Sequence, residues 1–437
     1  MLDMYMPNYD KQAALAALEK REKAAKLKKL LESKPEVKPY HAPEGFRPNW
    51  IYLGHVLNVL KSFPDHCVDM VMTSPPYWGL RDYGGIEQDW GDWHGELGQE
   101  PTPELYIEHC MIIMEELWRV LKPRGTLWWN ISDTYAGSGG AGGDWGKGKR
   151  KQSAKWKQGN AGIKHGLVGV PEMFVLAMKR RGWLRWNTII WYKRNCMPQS
   201  VKNRFTVDFE YLYYFSKQKD RYFKQQFDPL TWTGKGECRF GGNKAEGFGR
   251  ETYSGNVYDP KKLENGRNKR CVWTINPKGF KGAHFAVFPR ELVQTPINAG
   301  CPRFICEACG LPMQWVVKKG EKDLKLIKKS NWGVDKNGEY HGTAKKDYQK
   351  GGAQNASEVK ARIIEGMKKK TGQWKAQCEC NAKKTPGIVL DPFMGAGTTA
   401  KEALQQGKLF VGCEVNPEYR AIALNRIDVL LNNRRLI

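Results

Sequence analysis

The sequence predicts an α/β protein built on a mostly parallel sheet with helices on both faces. Three observations carry this. Two short apolar runs, Val68–Met72 and Thr126–Ile131, have the length and composition of buried strands. Between them, Tyr106, Ile107, Cys110, Ile113, Met114, Leu117, Trp118 and Leu121 recur at helical spacing. Near the end of the chain, Gly387–Leu390 leads through a glycine-rich turn into a helix and then a second strand, Leu409–Val415. Strands alternating with helices favour parallel pairing, because each crossover returns the chain to the same edge of the sheet.

The elements follow in order. Asp10–Ser33 is rich in Ala, Leu, Lys and Glu and predicts one solvated helix, which Pro35, Pro39 and Pro43 end. Residues 1–45 are therefore a basic arm and linker. Trp50–Leu60 contains a strand and then a short helix. After Val68–Met72 comes a polar loop, Gly79–Glu100, carrying Asp82, Tyr83, Trp90 and Trp93; a loop this long beside a strand end is expected to be functional. The helix over Pro103–Leu121 is stopped by Lys122-Pro123-Arg124-Gly125, and the strand that follows has Asp133 at its exit. From Ala136 to His165 periodicity disappears into Gly, Lys, Arg, Ser and Gln, which favours a basic loop that orders on a polyanion. Pro171–Arg181 is a helix, and Trp186–Tyr192 and Phe209–Phe215 are aromatic-rich strands. Tyr222–Arg270 is Gly-, Lys- and Asn-rich. Order restarts at Val272-Trp273 and His284–Leu292, with a helix after Pro289. The implied divisions are 1–45, 46–135 (first half of the sheet), 136–270 (basic loop, further strands and a recognition region), 271–300, 301–385 (cysteine pairs around a lysine-rich insert) and 386–437 (second half).

Composition bounds the function. In 437 residues, Lys+Arg 71 against Asp+Glu 46 gives a formal charge of +25, which implies a polyanionic partner. With 17 Trp interleaved among the basic residues, nucleic acid fits better than a membrane surface, since bases offer faces for stacking. No run of eighteen apolar residues exists and the N-terminus lacks an apolar signal core, so a soluble protein that stays where it is made is expected.

Two motifs carry chemistry. At Thr73-Ser74-Pro75-Pro76-Tyr77-Trp78 the prolines end the strand and leave it extended and rigid, presenting Ser74, nearby carbonyls and the Tyr77 ring at a strand's carboxyl end, where ligands bind in open α/β sheets. An exocyclic amino group on a base is a poor nucleophile because its lone pair is delocalised into the ring. Acceptors for its hydrogens would pull the nitrogen towards tetrahedral geometry, while an aromatic face holds an extruded base. The second motif is Asp391-Pro392-Phe393-Met394-Gly395-Ala396-Gly397-Thr398-Thr399, with Glu414 about twenty residues on, suited to an adenosine-containing ligand. The turn has no Lys, which argues against a triphosphate-binding loop.

The first motif resembles motif IV of the DNA amino-methyltransferases, and the second their motif I. Glu414-Val415-Asn416-Pro417-Glu418-Tyr419 resembles motif II, and His284–Leu292 sits where the family carries motif X. Catalytic motif first and cofactor motif last is the β-type order of this bacterial and phage family, and the resemblance runs from about Trp50 to Asn425. It implies a Rossmann-like methyltransferase sheet of the seven-stranded type and S-adenosylmethionine as cofactor. It also implies double-stranded DNA with a flipped base as substrate, in the cytoplasm of a bacterial or phage-infected cell. Ser74, Pro75 and Pro76 would orient the amino group and Tyr77 would stack on the base. Asp391, Phe393, Gly395, Gly397, Thr398, Thr399, Phe285 and Pro289 would line the cofactor, with Glu414 on its ribose. No Pro-Cys dipeptide is present, so the covalent route of ring-carbon cytosine methylation is not expected. Ser at the first motif position is associated in the family more with cytosine N4, and Asp or Asn with adenine N6. Cytosine N4 is the expected target, with adenine N6 as the alternative and a non-catalytic DNA-binding protein or an RNA methylase as further ones. A homodimer is compatible with the sequence, which gives neither the recognised site nor any companion nuclease.

Of 11 cysteines, seven are scattered and read as reduced thiols. Cys306-x-x-Cys309 and Cys378-x-Cys380 flank the lysine-rich insert and suit one tetrahedral zinc ion, though the second gap is tighter than the usual two residues. The alternative is four unrelated thiols.

Overall fold

The computed structural model describes residues 45–80, 87–136, 165–196, 198, 202–229, 266–277, 287–318 and 371–434. The expected N-terminal helix, most of the basic loop after Ala136, most of Tyr222–Arg270 and the lysine-rich insert lie outside them, as do Asp82, Tyr83 and Phe285. The described residues all belong to one unit, Gly45–Ile437.

In chain order the elements that build the sheet and its cover are Trp50–Leu53 (β1), Val56–Lys61 (α1), Val68–Thr73 (β2), Pro103–Val120 (α2) and Leu121–Ile131 (β3). Then come Val170–Arg180 (α3), Leu184–Tyr192 (β4), Phe209–Ser216 (β5), Val272–Thr274 (β6) and Arg290–Gly300 (α4). Ile388–Asp391 (β7), Thr398–Gln405 (α5), Leu409–Glu414 (β8) and Pro417–Arg434 (α6) complete them. Among the described residues the strands form one 8-stranded sheet, ordered β1–β8–β7–β2–β3–β5–β4–β6. Every neighbouring pair is parallel except those made by β5, which runs against both β3 and β4. This is the expected mostly parallel sheet with one strand more than the seven-stranded type, because the three residues of β6 add an edge beside β4.

The strands at the centre are buried on both faces, and their side chains alternate between two cores. Val68 and Val71 of β2 and Leu127, Trp129 and Ile131 of β3 pack under α1, α2 and α3. Met70, Met72 and Trp128 point the other way, under α4, α5 and α6. The period-2 switch of a strand thus feeds both layers. Trp129 stacks on Phe174 at 5.2 Å between ring centroids, and Trp128 stacks on Tyr214 at 4.3 Å. Truncating the fully buried Trp129 would cost about 3–5 kcal/mol.

Local chemistry sets the helix ends. Thr102 Oγ1 accepts the Leu105 N–H (3.2 Å) and Pro103 occupies the first turn, so α2 begins where its proline forecast it. Asp133 turns out to be a cap as well. Its carboxylate accepts the Gly169 N–H (2.9 Å) and the Val170 N–H (3.1 Å) at the start of α3. Helix α2 ends at Val120, just ahead of the stop expected at Lys122–Gly125, and these four residues then form a bulge inside β3: pairing jumps from Val68↔Leu121 to Met70↔Thr126. Lys122 uses it to reach the buried Asp69, which also accepts the Ile388 N–H at 2.9 Å.

The polar loop after the catalytic motif divides in two. Trp90 and Trp93 stack on His109 of α2, at 4.7 and 5.7 Å, so they are packing residues. Glu100 holds His109 (3.0 Å) and the Gly98 N–H (2.7 Å), fixing the loop under the Ser74–Tyr77 turn.

Candidate active site

β2 and β7 are adjacent and parallel, with Met70 opposite Val389 and Val71 opposite Leu390. Their carboxyl ends therefore emerge side by side, and the turns that follow share one cavity of about 360 Å³. Parallel pairing is what brings together two segments more than three hundred residues apart.

On one wall is the glycine turn. Phe393, Gly395 and Thr398 line the cavity, with Met394 and Ala396 between them. Gly395 has φ 50° and its N–H donates to Glu414 Oε2 at 2.7 Å; the Asn416 N–H donates to Oε1 at 2.8 Å. These amides aim the Glu414 carboxylate from behind. Burial raises its pKa to about 7 in spite of them. A ligand with two vicinal hydroxyls would supply the donors that burial removed. Glu414 and the cradle beside it thus fit the ribose of an adenosine cofactor.

Three residues expected at the cofactor lie behind this wall. Asp391 is fully buried; its Oδ1 accepts from Thr73 Oγ1 (2.6 Å) and from the Phe393 N–H (3.1 Å), so it ties the glycine turn to β2. Burial raises it to about 6. Gly397, at φ 76°, lies against α6: a Cβ there would meet the Ala423 Cβ at 2.8 Å. Thr399 is buried at the foot of α5. Pro289 is buried just ahead of α4, and its neighbours Val287 and Phe288 line the cavity instead.

The facing wall is the Ser-Pro-Pro-Tyr turn, expected from the sequence to be catalytic. Ser74, Pro75, Pro76 and Tyr77 all line the cavity. The Tyr106 hydroxyl donates to the Pro76 carbonyl (2.8 Å) and holds the turn from beneath. Ser74 Oγ donates to the Tyr77 hydroxyl (3.0 Å), which donates to Glu210 Oε2 (2.7 Å); Lys193 pairs with the other oxygen of Glu210. Each hydrogen in this chain points towards the carboxylate, so the lone pairs of Ser74 Oγ are left for an incoming donor. Lys193 also sits over the Trp191 ring, 4.5 Å from its centroid, and Trp191 and Asn130 complete this side.

Neither Glu210 nor Lys193 is among the site residues expected from the sequence. The available signal was an acid inside an otherwise Tyr- and Phe-rich strand, Phe209–Ser216, and a lysine directly after its neighbour. Only the pairing Trp191↔Glu210 reveals that they meet. The four cysteines expected as ligands also come together, away from the cavity and near the amino-terminal end of β2.

Comparison with known proteins agrees with this geometry. A family model for DNA methylases of the N6/N4 type matches residues 68–303 and 314–425. The Type II methyltransferase M.Cfr9I of Citrobacter freundii is 29% identical over 380 residues, covering 86% of this chain and 87% of that protein. M.SmaI of Serratia marcescens is 32% identical over 252 residues, covering 57% of this chain and 74% of its own length. Among solved structures, the cytosine-N4-specific PvuII DNA methyltransferase aligns over 89% of this chain and 93% of its own, at 14% identity and a TM-score of 0.44. With the family model spanning most of the chain, and with the catalytic and glycine turns facing one another across one cavity, the protein belongs to the N6/N4 DNA methylases, in the β-type order of motifs.

Proposed function

We propose that this chain methylates the exocyclic N4 of a cytosine turned out of double-stranded DNA, using S-adenosylmethionine. The observation that supports it is the shared cavity: an adenosine-type wall with Glu414 faces a wall that presents hydrogen-bond acceptors and an aromatic ring. When bound, the cofactor supplies an electrophilic methyl group. The protein's own contribution is orientation. Ser74 Oγ, its proton committed to Tyr77, accepts one amino hydrogen of the base and draws the nitrogen lone pair out of conjugation. Tyr77, held at its hydroxyl between Ser74 and Glu210, offers its ring for stacking without needing to order on binding. Glu210 fixes the direction of the hydrogen-bond chain, and Lys193 pairs with its other oxygen and holds it in place. Glu414 accepts the ribose hydroxyls.

Cytosine N4 is favoured by the neutral Ser74 at the head of the catalytic turn; adenine N6 is the alternative target. Mass spectrometry of nucleosides from DNA treated with the enzyme and cofactor tests both. N4-methylcytosine is the expected product. N6-methyladenine would move the assignment to the alternative, and absence of either would reject methyl transfer.

A further inference from the structure

The sulfur atoms of Cys306, Cys309, Cys378 and Cys380 all lie within 4.8 Å of one another, and none is in a disulfide. They come from two tight turns at either end of the lysine-rich insert. In the first, the Gly310 N–H donates to the Cys306 carbonyl (2.9 Å), Gly310 has φ 69°, and the Ala308 and Cys309 amides point at the Cys306 sulfur. In the second, the Cys380 amide points at the Cys378 sulfur and Asn381 has φ 50°. Backbone N–H groups aimed at sulfur do little for a thiol but stabilise a metal-bound thiolate, as second-layer donors do around structural metals.

Among the described residues, the surrounding segment has little apolar packing to hold this arrangement. Two ribbons, Ile305–Cys306 with Lys384–Thr385 and Gln314–Lys318 with Thr371–Lys375, carry the turns. Their apolar contacts are chiefly Phe304 with Trp374 and Trp374 with Trp315, which is half exposed. Ile305 is buried but belongs to neither of the two large cores. Small two-stranded units of this kind are marginal alone and need a cross-link.

We infer that the four cysteines bind one zinc ion tetrahedrally, as a structural clasp that closes the two ends of the insert. Four sulfur ligands favour zinc among the divalent ions, and a tetrahedral site with Zn–S of about 2.3 Å places sulfurs about 3.8 Å apart, inside the 4.8 Å limit within which these four lie. Its place in the fold separates it from the chemistry. Gly310 lies against Lys122, which pairs with Asp69 near the start of β2, whereas Ser74 follows the end of that strand. Five residue steps from Asp69 to Ser74 put about 17 Å between them. The ion therefore braces the amino-terminal edge and takes no part in methyl transfer.

The test uses the full chain purified without added metal. Elemental analysis should find one zinc per chain, and Cys306→Ser and Cys380→Ser should each lose it. On the wild type, a strong chelator should release the zinc, free four titratable thiols and lower the melting temperature, while binding of S-adenosylmethionine stays within about twofold. Cobalt substituted for zinc should show the visible and near-ultraviolet bands of a tetrahedral thiolate site, which keeps the test open if the variants do not fold. Iron in place of zinc, disulfides among the four cysteines, or a chain that takes up neither zinc nor cobalt would overturn the site. Loss of cofactor binding on chelation would overturn its placement away from the chemistry.

Discussion

The two walls of the cavity are held in place by different means. The cofactor wall is built almost entirely from contiguous sequence and fixed by backbone: Gly395 and Asn416 amides on Glu414, the Phe393 amide on Asp391. The catalytic wall is fixed by side chains from distant strands, through Ser74, Tyr77, Glu210 and Lys193. A wall set by amides presents one shape whatever the protonation state of its neighbours. A wall set by a chain of hydroxyls on a carboxylate depends on every link. Substitutions should therefore separate the walls kinetically, with the catalytic side showing in turnover and the cofactor side in affinity.

Ser74→Ala should show the largest effect. It removes the acceptor for the amino group and is expected to lower kcat by about 10²–10³, the range seen when one oriented polar group is lost from a reacting centre. Equilibrium binding of S-adenosylmethionine should be unchanged. If affinity for the cofactor fell in parallel, the two walls would not be independent and the comparison would fail.

Next in size is Glu414→Gln. A hydrogen bond to a charged group contributes about 1.5–3 kcal/mol, so Kd for the cofactor should rise about tenfold to a hundredfold, read by calorimetry. At saturating cofactor, kcat should stay near the wild-type value. Glu210→Gln should produce a drop in kcat of comparable size, because an amide can donate to the Tyr77 hydroxyl and reverse the chain that leaves Ser74 its lone pairs. Combined with Tyr77→Phe, it should add little further loss, since both act through the same link. Full additivity in that cycle would show that Glu210 acts elsewhere.

This division also explains what the sequence disclosed. The cofactor wall was legible because Asp391 to Glu414 is a strand, turn, helix and strand read in one pass, and the acid at the end of β8 is within reach of the turn by construction. What remained hidden there was depth. Asp391, Gly397 and Thr399 belong to the same motif but face β2, α6 and the core, a distinction made by packing rather than by spacing. On the catalytic wall the tetrapeptide was legible and its partners were not, because Glu210 reaches Tyr77 only through the antiparallel insertion of β5. In the loop expected to be functional, Gln88, Glu96 and Leu97 do line the cavity, while Trp90 and Trp93 pack on His109 of α2, a partner that spacing alone does not reveal. Helix α6 was unread because its apolar residues do not form one clean stripe, although Ala423 and Ile427 are fully buried.

Gly397→Ala tests the depth directly. A residue other than glycine at φ 76°, with its Cβ 2.8 Å from that of Ala423, should cost about 1–3 kcal/mol of stability, measured by urea unfolding. Cofactor affinity should change far less than in Glu414→Gln. An undiminished unfolding midpoint would mean that α6 gives way.

The smallest effect is one of pH, and its sign follows from the burial of Glu414. In the free protein its carboxyl is raised to about 7, so near neutrality a substantial fraction is protonated. Hydroxyl donors from the ribose favour the carboxylate and pull that pKa down. Binding therefore releases a proton, and affinity must increase as pH rises through about 7 and level off above it. Below that point Kd should worsen by up to about tenfold per pH unit until the pKa of the bound state is reached. Asp391, raised to about 6, lies behind the wall with both oxygens buried and makes no direct contact with the cavity, so it should not add a second step of that size. Glu414→Gln should abolish the slope as well as weaken binding. A slope that survives in that variant would assign the titrating group to another residue and leave the cofactor wall, like the catalytic one, dependent on a partner that lies outside its own stretch of sequence.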